Sequence, residues 1–557
     1  LLPAHAIVRD LKVKPDDSKV VLAATSEGLF RSEDEGKHWV PATNGLPHAY
    51  TEEIAFAPSR PQTVYVTLRC TAEDTAPWNG AVCRSDDAGQ SWRTVNGAGL
   101  PKRVGKRGQA RNLSSNPKEL AVDPREPNTV YVGNRDWVSA GVYKTTDSGQ
   151  HWNRVTRPAS KESNMDYGWI TMWGASVECL ALSPVAPDRL AFGTSGHVFL
   201  SDDGGTSWRQ RYTRQLPDGR FAGAGLEVTC AWRVVPDPVC SNRVYCCYMD
   251  IGLLISEDLG RTFRRSFEGM KMGGNCFGVV VDPQAPDTLW AATGQWAHNA
   301  GDICRSEDGG RTWRVVGHPA SGLPDGQVLQ MTLDLQSPLG KRRLLAICKG
   351  NGVVETRDGG QTWHSLNGNL PADSVKDPRG LLLDPEDSLH VVIAAGGNLY
   401  ATRDGGSRWQ RLNASGLPPN LQRLVTDPHS FQKLYVAARE SYDRKTDRQY
   451  PGGAFCSEDG GQTWRHLLDC RFASDIAISP ANSRILYVTT AEHPYFDGPI
   501  AQGLLKSTDG GETWHQENNG LSLQNLKAVC VSPHDPDTVF IATSGNSIFV
   551  GHDREVR

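Results

Sequence analysis

The stretch Ser32-Glu33-Asp34-Glu35-Gly36-Lys37-His38-Trp39 decides how the rest of the chain is read. It runs hydroxyl residue, any residue, Asp, any residue, Gly, two further residues, aromatic. The same pattern returns around Asp87, Asp147, Asp203, Asp258, Asp308, Asp358, Asp404, Asp459 and Asp509, at spacings of 46 to 60 residues. Nine of these ten boxes close with Trp, and the one at Asp258 closes with Phe263. Self-similarity at such a period marks a repeat architecture. Within each copy the Asp and Ser/Thr oxygens fold back onto nearby backbone N–H groups, and Gly reaches a φ that other residues resist. The closing ring buries apolar area and anchors the turn. Ten equivalent copies cannot serve one active site, so these aspartates are read as turn formers. They report the fold and not the chemistry.

Reading outward, each box is preceded by three short β-branched or aromatic runs. Before Asp147 they are Leu120-Ala-Val-Asp-Pro, Asn128-Thr-Val-Tyr-Val-Gly and Gly141-Val-Tyr-Lys-Thr. Before Asp509 they are Ile476-Ala-Ile-Ser-Pro, Ile485-Leu-Tyr-Val-Thr and Gly503-Leu-Leu-Lys-Ser. Each run ends in a Pro, Asp or Gly turn, and a fourth run such as Arg314-Val-Val follows the aromatic. Four strands per repeat predict an all-β fold, a β-propeller of ten full units. An incomplete eleventh unit follows the last box, with Lys527-Ala-Val-Cys-Val-Ser-Pro, Thr538-Val-Phe-Ile-Ala-Thr and Ser547-Ile-Phe-Val. The opening Leu1-Leu2-Pro3 matches the Gly-Leu-Pro that follows fourth strands at Gly45, Gly99, Gly322 and Gly416. The expectation is ring closure, with both ends meeting in one blade. One large ring over 1–557 is the reading, and two smaller propellers, 1–270 and 271–557, are the alternative.

Bulk composition excludes several classes of function. The net charge of -4 over 557 residues argues against a nucleic-acid or anionic-membrane partner. No run of 18 apolar residues is present, so no transmembrane helix is expected. The absence of an initiator Met and of a secretion signal reads as a processed or trimmed sequence. Among 13 cysteines, Cys179, Cys246, Cys247, Cys276, Cys348 and Cys530 fall in predicted strands as small apolar groups. Cys70 and Cys83 flank one loop at the ends of adjacent strands, where a disulfide fits. No Cys-x-x-Cys or His-x-x-x-His spacing occurs, so neither a metal nor another cofactor is expected.

Insertions concentrate in the loops after the second strands and between units, which share one face of a propeller. Long loops on a rigid scaffold are where binding and catalysis concentrate. Those loops carry Trp78, Trp137, Trp169, Trp173, Trp296, Tyr442 and Tyr495, flat rings suited to stacking on sugars. Nearby carboxylates can supply the acid and base of glycosidic cleavage.

The boxes resemble the Asp-box of sialidases, two-propeller xyloglucanases and sortilin-type receptors, all of which fold as β-propellers. The xyloglucanase resemblance implies a catalytic Asp in an Asp-x-Gly context after a second strand. Met249-Asp250-Ile251-Gly252, directly after Val244-Tyr-Cys-Cys-Tyr, looks like that motif. Asp250 is therefore the leading acid candidate, with an apolar Met and Ile beside it to raise its pKa. The first unit departs from the family, reading Thr25-Ser26-Glu27-Gly28 where an Asp is expected. Asp136, Glu440 and Glu492 are candidate partners at the same topological place. The expectation is a secreted or periplasmic glycoside hydrolase acting on a β-linked polysaccharide or oligosaccharide. A non-catalytic, sortilin-like glycan or peptide binder is the competing class. A polysaccharide lyase using His298, His493 and the basic loop Lys102 to Arg111 is a third. Sialidase activity fits less well, because Arg9 lacks the Arg-Ile-Pro context those enzymes carry.

Overall fold

The computed structural model describes residues 2–69, 80–101, 116–135, 139–157, 163–168, 176–194, 196–224, 229–295, 300–413, 416–444, 447–492 and 500–553. Blades are numbered here in chain order. Blade 7 shows how the sequence builds one: strands Val328–Asp334, Arg343–Cys348, Gly352–Thr356 and His364–Ser365 form an antiparallel meander. The second strand, Arg-Leu-Leu-Ala-Ile-Cys, is buried at every position. A middle strand covered on both faces tolerates a continuous apolar run. The two-residue outer strand is exposed, which limits the free edge it offers.

The ten boxes form the same turn. In every one, the hydroxyl two residues before the Asp donates to its Oδ1. At Asp308, Ser306 Oγ accepts from Gly310 N at 2.8 Å, while the carboxylate accepts from Thr312 N at 3.0 Å and Thr312 Oγ1 at 2.6 Å. Trp313 then reaches into the preceding blade, and its Nε1 donates to Ser266 Oγ at 2.9 Å. These donors favour the charged carboxylate, so Asp308 and its counterparts sit below the usual carboxylate range. The reading of the boxes as structural agrees with this geometry.

A second feature recurs that the sequence did not announce. The first strand slips by one residue against its neighbour between Val8 and Asp10 in blade 1 and again in blades 2 and 3, whereas blade 4 pairs without a slip. Blades 5 to 11 repeat it at Ala231/Arg233, Cys276/Gly278, Val328/Gln330, Pro378/Gly380, Leu421/Arg423, Ala473/Asp475 and Leu526/Ala528. A bulge at a fixed place re-aims the side chains around it.

The described chain divides into two compact units. The first spans Leu1–Arg214 with Ala224–Leu226 and holds blades 1 to 4. Their first strands, Val8–Lys14, Thr51–Phe56, Pro117–Val122 and Cys179–Leu182, pack in chain order. The second spans Gln215–Gly223 with Glu227–Arg557 and holds blades 5 to 11. Its first strands are Ala231–Pro236, Cys276–Val281, Val328–Asp334, Pro378–Leu383, Leu421–Asp427, Ala473–Ile478 and Leu526–Val531. Each packs on the next, and the last packs back on Ala231–Pro236, so the cycle closes. The final sheet has three strands, ending with Ile548–His552, as the incomplete eleventh set predicted.

Two cysteine expectations need correction. Cys83 is a free, buried thiol whose Sγ lies 3.8 Å from Thr94 Oγ1, and Cys70 lies outside the described residues. Cys179 is exposed, because the first strand of blade 4 turns it outward. Cys246, Cys247, Cys276 and Cys348 are buried as expected, and burial pushes the Cys348 thiol up to about 12.

Candidate active site

Asp250 occupies the tight turn between Val244–Tyr248 and Gly252–Ser256 in blade 5, with φ of +67°. Asp and Asn are among the few non-glycine residues that accept this left-handed conformation. The turn is pinned on both sides. Met249 N donates to Cys230 O at 3.0 Å, and Asp250 N donates to Asn275 Oδ1 at 3.1 Å. The carboxyl is half-buried, and Thr229 Oγ1 lies 3.3 Å from its Oδ2. Burial raises its pKa, and the Thr229 hydroxyl offsets this in part. A carboxyl held toward its neutral form, with no basic side chain paired to it among the described residues, is suited to donating a proton.

Two other carboxylates stand on the same end of the ring. Glu492 follows the second strand of blade 10, the position Asp250 holds in blade 5. A run of hydrogen bonds joins the two across blade 11. Cys230 bridges Ser544, Ser544 N donates to Asn525 O at 2.9 Å, and Glu492 N donates to Asn525 Oδ1 at 3.1 Å. On the other side, Asn275 accepts from Gly294 N at 3.3 Å, and Gly294 pairs with Gly301, the neighbour of Asp302.

Asp302 is a site candidate that the sequence reading passed over. It lies in the third strand of blade 6, 2% exposed, and its Oδ2 is buried without a hydrogen-bond partner among the described residues. Burial raises its pKa, and Lys271 and His318 pull it back. One signal was present: Gly301-Asp302-Ile303-Cys304 places a charge where a middle strand otherwise reads apolar.

Glu440 is engaged differently. Its Oε1 accepts from Arg471 Nε at 2.5 Å, and its own N–H donates to Arg471 O at 2.8 Å. This ties it into the loop scaffold of blades 9 and 10 and leaves it poorly placed as a free base. Tyr442 is 55% exposed on a hairpin of its own, Ser441–Asp443 against Arg448–Tyr450. Its hydroxyl donates to Asp447, so the phenol is oriented while its ring stays open to solvent. Asp136, Trp78, Trp137, Trp169, Trp173, Trp296 and Tyr495 lie outside the described residues, as do His298, His493 and Lys102 to Arg111. Among the described residues no group of three His, Cys, Asp or Glu side chains forms a metal cluster. No described helix is long and apolar enough to cross a membrane.

Repeated four-stranded blades, packed face to face and stapled by box turns, define a β-propeller protein with a half-buried aspartate in a second-to-third-strand turn. Comparison with known proteins agrees with that class. Residues 351–495 match the sortilin and neurotensin receptor 3 family. A xyloglucanase of a Paenibacillus species is 26% identical over 320 residues, covering 52% of this chain and 29% of the relative. A xyloglucanase of Hypocrea jecorina is 24% identical over 368 residues, covering 57% of this chain and 41% of the relative. The chain thus spans well under half the length of these curated relatives. Among solved structures, the GH74 enzyme of Niastella koreensis superposes with a TM-score of 0.60 at 16% identity. That match covers 98% of this chain and 82% of the enzyme. An ancestral GH74 enzyme gives 0.56 at 14% identity, covering 98% and 91%. The fold is shared with these enzymes.

Proposed function

We propose that this chain carries part of a glycoside hydrolase that cleaves a β-linked polysaccharide of the xyloglucan type. Asp250 is its proton donor. The observation that carries the proposal is the Asp250 turn: a desolvated carboxyl at φ +67°, held by Thr229, Cys230 and Asn275 on a rigid ring. Xyloglucanases among its relatives support the substrate class.

Glycosidic cleavage needs a carboxylic acid to protonate the leaving oxygen and a second carboxylate to activate water or attack the sugar. Asp250 takes the first role. Glu492 and Asp302, on either side of it, are the described candidates for the second. Tyr442 offers a sugar-stacking face. The protein that carries this chain is proposed to be secreted or periplasmic, where such polymers are met.

The match of residues 351–495 to the sortilin family favours one other reading, a ring that binds glycan or peptide without cleaving it. Incubation with xyloglucan and mixed-linkage glucan, followed by assay of reducing ends, separates the two. Release from xyloglucan is expected. Retention of a glycan with no new reducing ends would replace the hydrolase with a binding protein.

A further inference from the structure

The repeated bulge sets one residue of each first strand at the same level of the ring in the second unit. Register across to the second strand identifies them: Arg233 opposite Cys247, Gly278 opposite Ala292 and Gln330 opposite Ile347. Gly380 opposite Ala394, Arg423 opposite Ala437, Asp475 opposite Thr489 and Ala528 opposite Ala542 complete the level. Two residues further along, Val235, Val280, Thr332, Leu382, Val425, Ala477 and Cys530 form a level that is apolar but for one hydroxyl. A polar layer therefore rests on an apolar floor.

The layer carries two guanidinium groups and one carboxylate. Asp475 is committed to Arg423 and to the backbone. Its Oδ1 lies 3.2 Å from Arg423 Nε and accepts from Ile476 N at 2.9 Å, while Oδ2 accepts from Val529 N at 3.3 Å. Arg423 Nη1 is buried and has no acceptor among the described residues. Arg233 makes neither a hydrogen bond nor an ion pair with any described residue, yet it feels the charges of Arg423 and Asp475. Blades 5 and 9 are not neighbours in the ring, so the two arginines influence each other across its axis. Burial and the like charge of Arg423 lower the Arg233 pKa to about 10, leaving it a cation at neutral pH.

Two cations facing one committed carboxylate leave, among the described residues, a net positive charge at a partly buried level of the ring. Such a charge is costly unless an anion joins it. Space is available: a Cβ added at Gly278 would meet nothing within 4 Å, whereas one at Gly380 would strike Leu424 Cβ at 2.7 Å. The layer is thus packed shut at blade 8 and open at blade 6. Guanidinium forks match the planar edge of an oxyanion, carboxylate or phosphate alike.

We propose that the Arg233–Arg423 layer at the axis of the second unit is a binding site for one small oxyanion. Neither arginine belongs to the Asp250 turn, so the site is separate from the proposed cleavage chemistry. Calorimetric titration of the full chain with inorganic phosphate, and separately with acetate, tests it. One oxyanion per chain is expected, with affinity reduced at least tenfold in both Arg233→Gln and Arg423→Gln. A tighter response to phosphate assigns an inorganic source, and a tighter response to acetate assigns an organic carboxylate. Gly278→Leu keeps both arginines, fills the open space and is expected to weaken binding as well. It guards against loss through misfolding. Failure of both anions to bind, or undiminished binding in folded variants of both arginines, would overturn the proposal.

Discussion

Leu11 and Leu424 hold the same place in their blades, one residue past the bulge of the first strand, yet they live in different surroundings. Leu424 is fully buried, as are Ile54 and Leu381 at equivalent positions, with exposures of 0% and 1%. Leu11 is 52% exposed, and Val13, two residues on, is 51% exposed. In the second unit the cycle of first strands closes, so every such residue meets the next blade. In the first unit, blades 1 to 4 pack in series, and the outer face of blade 1 has no blade against it among the described residues. An apolar first strand stabilises a propeller through the neighbour that covers it, and not through the blade it belongs to.

The largest expected effect follows directly. Leu424→Ala should cost about 2–5 kcal/mol, as buried leucine truncations do, measured by denaturant unfolding of the second unit. A cost below about 1 kcal/mol would break the comparison.

The polar layers sharpen it. At the level where the second unit carries Arg233, Arg423 and Asp475, the first carries Asp10, Glu53 and Glu119. Burial, with help from the Glu119 charge, raises the Glu53 pKa to about 8, although Leu120 N donates to its Oε2 at 2.5 Å. A carboxyl with a raised folded pKa binds its proton more tightly in the folded state than in the unfolded one. Its contribution is therefore fully present below the unfolded value near 4.5 and is lost as pH rises toward 8. The loss is at most about 1.4 kcal/mol per pH unit. Hydrogen exchange along Thr51–Phe56 should accelerate across that window, and Glu53→Gln should flatten the response. An exchange profile that slows with rising pH, after correction for intrinsic rates, would contradict it.

Box turns should respond alike in both units. Asp358→Ala and Asp147→Ala each remove the acceptor of the hydroxyl two residues before and of the N–H four residues on, and each should cost about 1–3 kcal/mol. A calorimetric difference between them larger than that range would show that the boxes are not equivalent. The smallest effect is expected at the exposed position: Leu11→Ala should change stability by no more than about 0.5 kcal/mol. A loss comparable to that of Leu424→Ala would show that the face is covered in solution.

The boxes made the propeller legible because their signal is local: hydroxyl, Asp, Gly and aromatic close one turn within eight residues. Asp250 was singled out differently, through the resemblance of Met-Asp-Ile-Gly after a β run to the Asp-x-Gly context of xyloglucanases. What the sequence hid depends on distant partners. Leu11 and Leu424 look equivalent until packing distinguishes them. Asp302 reads as one polar residue in a strand until its oxygen proves buried and unpaired. Arg233 and Arg423, 190 residues apart in the chain, share an axis only because a bulge and a closed cycle bring them to one level. Glu440 looked equivalent to Asp250 by topology, and its ion pair with Arg471 separates the two.

The most direct test of the account is cleavage of xyloglucan by the Asp250→Asn variant. Asn accepts the left-handed turn, and it removes a carboxyl whose raised pKa costs stability above pH 4, so the variant should fold at least as well as the parent. The account predicts a loss of reducing-end release of about 10²–10⁴-fold, the range of general acid catalysis, with the unfolding temperature unchanged or raised. Cleavage at the parent rate by a folded Asp250→Asn chain would contradict it and return Asp250 to the role of a turn residue.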